Sequence, residues 1–308
     1  MAFQALVAFI SVSAGALVED GRKGFFQDNS PNLSWLTNSS LELRIGRKRL
    51  NILLTPTTNI PGIDTPCLFE GKVQGEPLSE VAVSGCINSN ETLLSISSSQ
   101  VPGGILDLAL VDGITFDVTL EGNDVSHGER TRRSYEGDET VEDETADFFI
   151  PPPDPNQPRA AYSGPLPSQV ILKTNVKYDN SLLGHFQNSH QKTKDWINRV
   201  IGLAKPRMSH NSLSIRIDLQ IDGVDHIDET LKANRENIRY LKDKRVPSLT
   251  SYFCKDIGGG IVGIAFLRAA CRTDGYGVNI NEMFTTVNSE LRTARTYAHE
   301  LGHNVGML

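Results

Sequence analysis

Between Arg130 and Pro167 the sequence cannot build a core, and this break divides the chain into two folding units. Arg130-Thr131-Arg132-Arg133 is followed at once by Glu136, Asp138, Glu139, Glu142, Asp143, Glu144 and Asp147. Pro151-Pro152-Pro153-Asp154-Pro155 comes next, and prolines recur up to Pro167. Repelling charges and stiff prolines leave too little apolar surface to offset the entropy of ordering. Residues 134–166 therefore read as an acidic, Pro-rich linker. The 308-residue length accommodates a modest domain on each side, at 17–133 and 167–308.

The basic cluster before the linker has a chemistry of its own. Arg-x-Arg-Arg presents cations at the spacing that the acidic subsites of furin-like convertases need. The charged stretch after it would keep the bonds accessible. A cut after Arg133, using Arg130, Arg132 and Arg133 for recognition, is expected, with Ser134 as the new N-terminus. Secretion is consistent with this. Residues 1–16 hold a short apolar run ending in Ala14-Gly15-Ala16, which fits a signal peptide. That run is too short to span a bilayer, and no other run approaches the length. Asn32, Asn38 and Asn90 each open an N-x-Ser/Thr acceptor triplet for glycosylation. An extracellular location makes disulfides available to Cys67, Cys86, Cys254 and Cys271, and four cysteines allow three pairings. Pairing within each half, Cys67–Cys86 and Cys254–Cys271, is preferred, because a cross-pair would tether the halves after cleavage. The net charge of −7 gives no basis for nucleic-acid binding.

Hydrophobic periodicity assigns a class to each half. Leu41–Ile45, Leu50–Leu54, Val81–Ser84, Leu93–Ile96 and Ile114–Leu120 are short, mostly alternating runs, so residues 17–133 are expected to be β-rich. Beyond Pro167 helix and strand periods alternate. Strands are expected at Gln169–Val176, Leu213–Leu219, Leu249–Phe253 and Ile261–Leu267, with helices at Gly184–Ala204 and Asp228–Lys242. That order predicts an α/β layer with a mainly parallel sheet. Gly258-Gly259-Gly260 lacks the Lys-Ser/Thr of a phosphate loop and reads as a turn. His185, His190, His210 and His226 read as surface or packing residues.

A final helix carries the chemistry. Leu291, Ala294, Ala298, Leu301 and Val305 form one apolar stripe, and Asn288 or Ser289 can cap its start. On its flank stands His299-Glu300-Leu301-Gly302-His303. Residues four apart share a helix face, so His299 and His303 can bind one zinc ion, with Glu300 beside it as general base. Gly306 follows where a left-handed residue would end the helix. Catalytic zinc takes three protein ligands and a water, and two are visible here.

Taken together, Tyr297-Ala298-His299-Glu300-Leu301-Gly302-His303-Asn304-Val305-Gly306-Met307 resembles the active-site helix of reprolysin (adamalysin) type zinc metalloproteases, the ADAM and ADAMTS group of the metzincin clan. Gly263-Ile264-Ala265-Phe266-Leu267, Cys271 and Gly277-Val278 resemble the stretch preceding that helix. Cys67-Leu68-Phe69-Glu70-Gly71-Lys72-Val73 with Ser79 to Cys86 resembles the core of the family's prodomain. The resemblance implies an α/β metzincin catalytic domain, a mostly parallel twisted sheet with an active-site helix, incomplete at its C-terminus and preceded by a β-rich prodomain. It implies a third His ligand at the position after Leu308. It also implies an edge strand at Gly263, Ile264, Ala265 and Phe266 that pairs with extended peptide substrates. The family counterpart of Cys271 often pairs further downstream. Residues 87–133 contain no Cys that could cap a zinc ion, so latency by steric cover of the cleft is expected. The expected function is a secreted zinc metalloendopeptidase made as a latent proprotein. The competing reading is a truncated, catalytically inactive, secreted binding protein on the same scaffold. A gluzincin, with a distant Glu as third ligand, is disfavoured by Gly306.

Overall fold

Alternating apolar residues dominate the N-terminal half, and they pair into one sheet. The structure, a computed structural model, describes strands at 7–12 and 25–27, and residues 39–117 and 167–306 apart from 46–47, 64, 66, 86–90, 112–113, 211–212, 214, 245–247, 256–261, 273 and 286–287. Arg130, Arg132, Arg133, Asn32, Asn38, Asn90, Cys86 and the linker lie outside these residues. Contacts divide the chain into two units, Met1–Thr57 with Pro66–Glu142 and His210–Ser212, and Thr58–Thr65 with Asp143–Ser209 and Leu213–Leu308.

The first unit contains β1 (Val7–Val12), β2 (Phe25–Gln27), β3 (Ser39–Ile45), β4 (Lys48–Pro56), β5 (Leu68–Val73), β6 (Glu80–Ser84), β7 (Glu91–Ser97), β8 (Ile105–Val111) and β9 (Ile114–Asp117). From β3 to β9 consecutive strands pair antiparallel as a meander, with β2 beyond β9 and β1 parallel to β3. Strand β1 occupies the stretch expected as a signal peptide. The core comes from alternate positions on neighbouring strands, including Leu41 and Leu43, Leu50, Ile52 and Leu54, Val81 and Val83, Leu94 and Ile96, Leu106 and Leu108. Along β4 the period is two with one face buried, so a slip of one residue there would turn Leu50, Ile52 and Leu54 to water.

The second unit is built on β10 (Gln169–Tyr178), β11 (Arg216–His226), β12 (Thr250–Cys254), β13 (Gly263–Ala265) and β14 (Val278–Glu282). Its sheet has the order β11-β10-β12-β14-β13, parallel except for the antiparallel edge pair β13–β14. Among the described residues the unit has four helices, α1 (Asn180–His185), α2 (His190–Met208) and α3 (Arg235–Asp243) between strands and α4 (Ser289–Val305) after the last strand. Tyr252 and Cys254 of β12 lie in a layer with Ile238 and Leu241 of α3. Phe253, between them, packs on Trp196 of α2 and Tyr297 of α4. All of β12 and β14 is buried, as a parallel sheet covered on both faces requires.

Several boundaries differ from expectation. The long helix expected at 184–204 is two helices, broken where Gln187 and Asn188 take positive φ of 57° and 58°. Helix α2 then starts afresh with Ser189 as its cap and runs through Pro206 in its last turn. The helix expected from Asp228 begins only at Arg235, capped by Asn234. Its intended first turns are held as a loop, because Leu231 N–H donates to the buried Asp179 carboxylate and Ala233 N–H to Glu282. Strand β11 starts later than Leu213 and runs on to His226. Cys67 is disulfide-bonded. The Cys254–Cys271 bridge is not formed and both remain thiols. The reason is placement: Cys254 is buried in the layer under α3, donating weakly to Asn281 O, whereas Cys271 sits in an exposed turn. Among the described residues no helix is long and apolar enough to cross a membrane.

Candidate metal centre

Helix α4 positions the site, and its stripe does what the spacing predicts. Leu291, Ala294, Ala298 and Leu301 are buried, so the flank carrying His299 and His303 is left outward. The two imidazole centroids stand 4.3 Å apart in a T-shaped arrangement. His299 is exposed and His303 half-buried. The helix start departs from the expected cap. Asn288 takes a left-handed conformation (φ 64°) and makes no side-chain cap bond. Its end matches: Gly306 has φ 93° and its N–H returns to His303 O at 3.0 Å.

The C-terminal turn is gripped from outside. Arg268 N–H donates to His303 O (2.9 Å), and Ala269 and Ala270 N–H donate to Asn304 O (2.7 and 2.9 Å). These bonds satisfy carbonyls that a helix end leaves open and hold the His303 backbone in place. Asn304, wholly buried, ties the same turn to the sheet. Its Nδ2 donates to Phe266 O (2.9 Å) and Val278 O (3.3 Å), and its Oδ1 accepts from Asn279 Nδ2 (2.8 Å). Asn279 also donates to Ser251 Oγ, and Asn281 Nδ2 donates to Asn279 Oδ1 (2.7 Å). At the other end, Arg199 of α2 pairs with Glu290 at 2.8 Å.

Glu300 is turned away from water. It is 5% exposed, and burial lifts its carboxyl to about 8. It lies directly over β13: a Cβ built on Gly263 would come within 2.5 Å of Glu300 Oε1 and 2.6 Å of Thr296 Cγ2. Only glycine allows strand and helix to approach so closely here. Gly263→Val is therefore expected to push β13 off α4, costing about 2–3 kcal/mol in the unfolding of this unit. A chemical-denaturation midpoint equal to the parent's would show that the strand has room. The strand expected over Ile261–Leu267 shortens to three residues. Ile264 and Phe266 face the α3 layer, so at this edge β13 offers a partner its main chain rather than those side chains.

Donor chemistry fits zinc in type: two neighbouring imidazoles and an adjacent carboxyl. In number it is short by one. Among the described residues no group of three His, Cys, Asp or Glu is placed to hold a metal. Among the described residues, His190 Nδ1 is bonded to Tyr178 Oη at 2.6 Å and His226 lies beside the same ring. Sequence reasoning missed Asn279 and Asn281, and it gave no structural role to Asn304 or to the close approach of α4 at Gly263. The one available signal was the polar alternation of Val278-Asn279-Ile280-Asn281-Glu282, which periodicity alone would assign to a solvated face.

The chain matches no protein-family model. It is similar, at 26% identity over 152 residues, to two proteins of Gloydius brevicauda, the zinc metalloproteinase-disintegrin-like brevilysins H2a and H2b. The match covers 46% of this chain and 35% of each relative, so it spans about a third of their length. A solved chaperone-substrate complex aligns with 45% of the chain and 26% of its own, at 18% identity and a TM-score of 0.34. The sequence relationship to the metalloproteinase-disintegrin-like group is thus a distant one.

Proposed function

We propose that this chain is the latent precursor of a secreted zinc metalloendopeptidase of the reprolysin type, with its second unit a metzincin catalytic domain. The observation that carries the reading is the pair of imidazoles on the outer flank of α4, with Glu300 held beside them against Gly263. Distant similarity to the brevilysins supports it. His299 and His303 would hold the ion, together with a third donor. The chemistry a bound zinc supplies is Lewis acidity that brings the pKa of water near neutrality. Glu300 takes the proton of the attacking water and returns it to the leaving amine. The free edge of β13 would take an extended peptide by main-chain pairing. A furin-like convertase cutting after Arg133 would release the first unit's covalent hold.

The test is metal content. Purified full-length product is expected to contain one zinc per chain by elemental analysis. His303→Ala is expected to retain less than about a tenth of it after dialysis, because removing one imidazole takes away a donor and the pairing that fixes the ion's geometry. A metal-free parent would overturn the reading. Zinc retained without any peptide hydrolysis would instead favour the binding-scaffold alternative.

A further inference from the structure

Helix α2 carries a residue that its own half of the chain does not explain. Asn198 is 0% exposed in the middle of a helix whose neighbouring Ile197, Val200 and Ile201 are equally buried. A buried amide needs partners, and Asn198 finds them in Thr58–Thr65, with Asn59 139 residues away. Asn198 Oδ1 accepts from Asn59 N–H (2.8 Å). Its Nδ2 donates to Thr65 Oγ1 (2.8 Å) and Thr58 Oγ1 (3.3 Å). Its main-chain carbonyl accepts from Asn59 Nδ2 (3.3 Å). One turn earlier, Asp195 Oδ1 accepts from Thr65 Oγ1 (3.2 Å).

The segment is shaped in advance for this contact. Pro61-Gly62 occupies the corner of a turn closed by Ile63 N–H to Ile60 O at 3.1 Å, with Gly62 at φ 76°, the arrangement that Pro-Gly favours. Thr58 Oγ1 also donates to the carbonyls of Ile60 and Ile63. Ile60 and Ile63 are buried. Although Thr58–Thr65 joins two strands of the first unit in sequence, its contacts place it in the second.

We propose that α2 is a recognition surface for this segment, centred on Asn198, and that it holds the N-terminal part of the chain non-covalently once the linker is cut. The proposal stands apart from the zinc reading: no metal ligand takes part, and the occupant is identified by its hydrogen bonds. Asn198 reads a main-chain N–H and two hydroxyls at once, and only a stretch with Thr58, Asn59 and Thr65 at their spacing supplies all three.

The experiment inserts a site for a specific exogenous protease within 134–166 of the full chain, cuts the folded protein, and follows the fragments by native size exclusion at micromolar concentration. Co-elution is expected. Thr65→Val and Asn198→Asp are each expected to speed fragment release about tenfold, the worth of one or two buried hydrogen bonds. Thr55→Val, on the exposed part of β4, is expected to leave release unchanged. Because Thr65 belongs to the departing fragment, its variant decides the matter even if Asn198→Asp disturbs α2. Parent fragments that separate during the run, or Thr65→Val releasing no faster than the parent, would overturn the proposal.

Discussion

Replacing Glu300 by Gln in the full-length product is expected to lower kcat/KM for peptide hydrolysis by about a thousandfold, with zinc content unchanged. The size of the effect follows from what Gln keeps and loses. It fills the same space over Gly263, so β13 and α4 stay together. It cannot take a proton from water or deliver one to the leaving nitrogen. His299 and His303 stand on the outer flank, and the His303 and Asn304 carbonyls are held by Arg268 and its neighbours, so metal retention should not depend on the carboxyl. Hydrolysis within about fivefold of the parent would remove Glu300 from the base role.

The same variant has a second readout in the metal-free protein. Burial holds the folded-state carboxyl near 8, against an ordinary value of 4.5. Between these values the folded chain binds a proton that the unfolded chain has released. Stability of the metal-free protein therefore falls as pH rises through that window, and the loss is complete above about 8. Gln removes the titration. Glu300→Gln should match the parent near pH 4 and exceed it by about 2–4 kcal/mol at pH 8.5, measured by denaturant unfolding after chelation. A stability difference independent of pH would mean that the carboxyl ionises freely in the folded state.

The helix bearing this residue was legible in the sequence because everything that defines it is local: a stripe at spacings of three and four, a His pair one turn apart, and Gly306. The meander of the first unit was legible for a similar reason, since Leu41–Ile45 and Leu93–Ile96 show their period within a few residues. Features set by distant partners were not. Asn234 rather than Asp228 starts α3 because Asp179 and Glu282 claim the intervening N–H groups. The break at Gln187 and Asn188 rests on two left-handed residues that propensity does not foresee. Strand β14 was invisible as a buried strand, since two Asn and a Glu in five residues argue for solvent until a helix arrives to bond them. Asn198 was equally mute, its partner lying 139 residues back.

That dependence on distant bonding makes Asn304 the residue on which the second unit's stability should hinge most. Asn304→Leu is expected to destabilise the unit by about 3–5 kcal/mol, read as a lowered midpoint in chemical denaturation. Leu approximates the volume but makes none of the bonds. It would leave Phe266 O without the donation at 2.9 Å and Val278 O without that at 3.3 Å, and Asn279 Nδ2 would lose its acceptor at 2.8 Å. All three groups sit between sheet and helix, where water cannot replace the bonds without opening the layer. Asn304→Asp should be worse at neutral pH, despite its near-identical shape. It keeps the acceptor for Asn279 but turns a second oxygen, ionised and 0% exposed at this site, toward two carbonyls. Acidification should then recover part of the loss in the Asn304→Asp variant by protonating the new carboxyl, while the Leu variant shows no such recovery. If both variants unfold within about 0.5 kcal/mol of the parent, the amide is not what clamps α4 to β14, and the grip on the last turn of α4 must rest on Arg268, Ala269 and Ala270 alone.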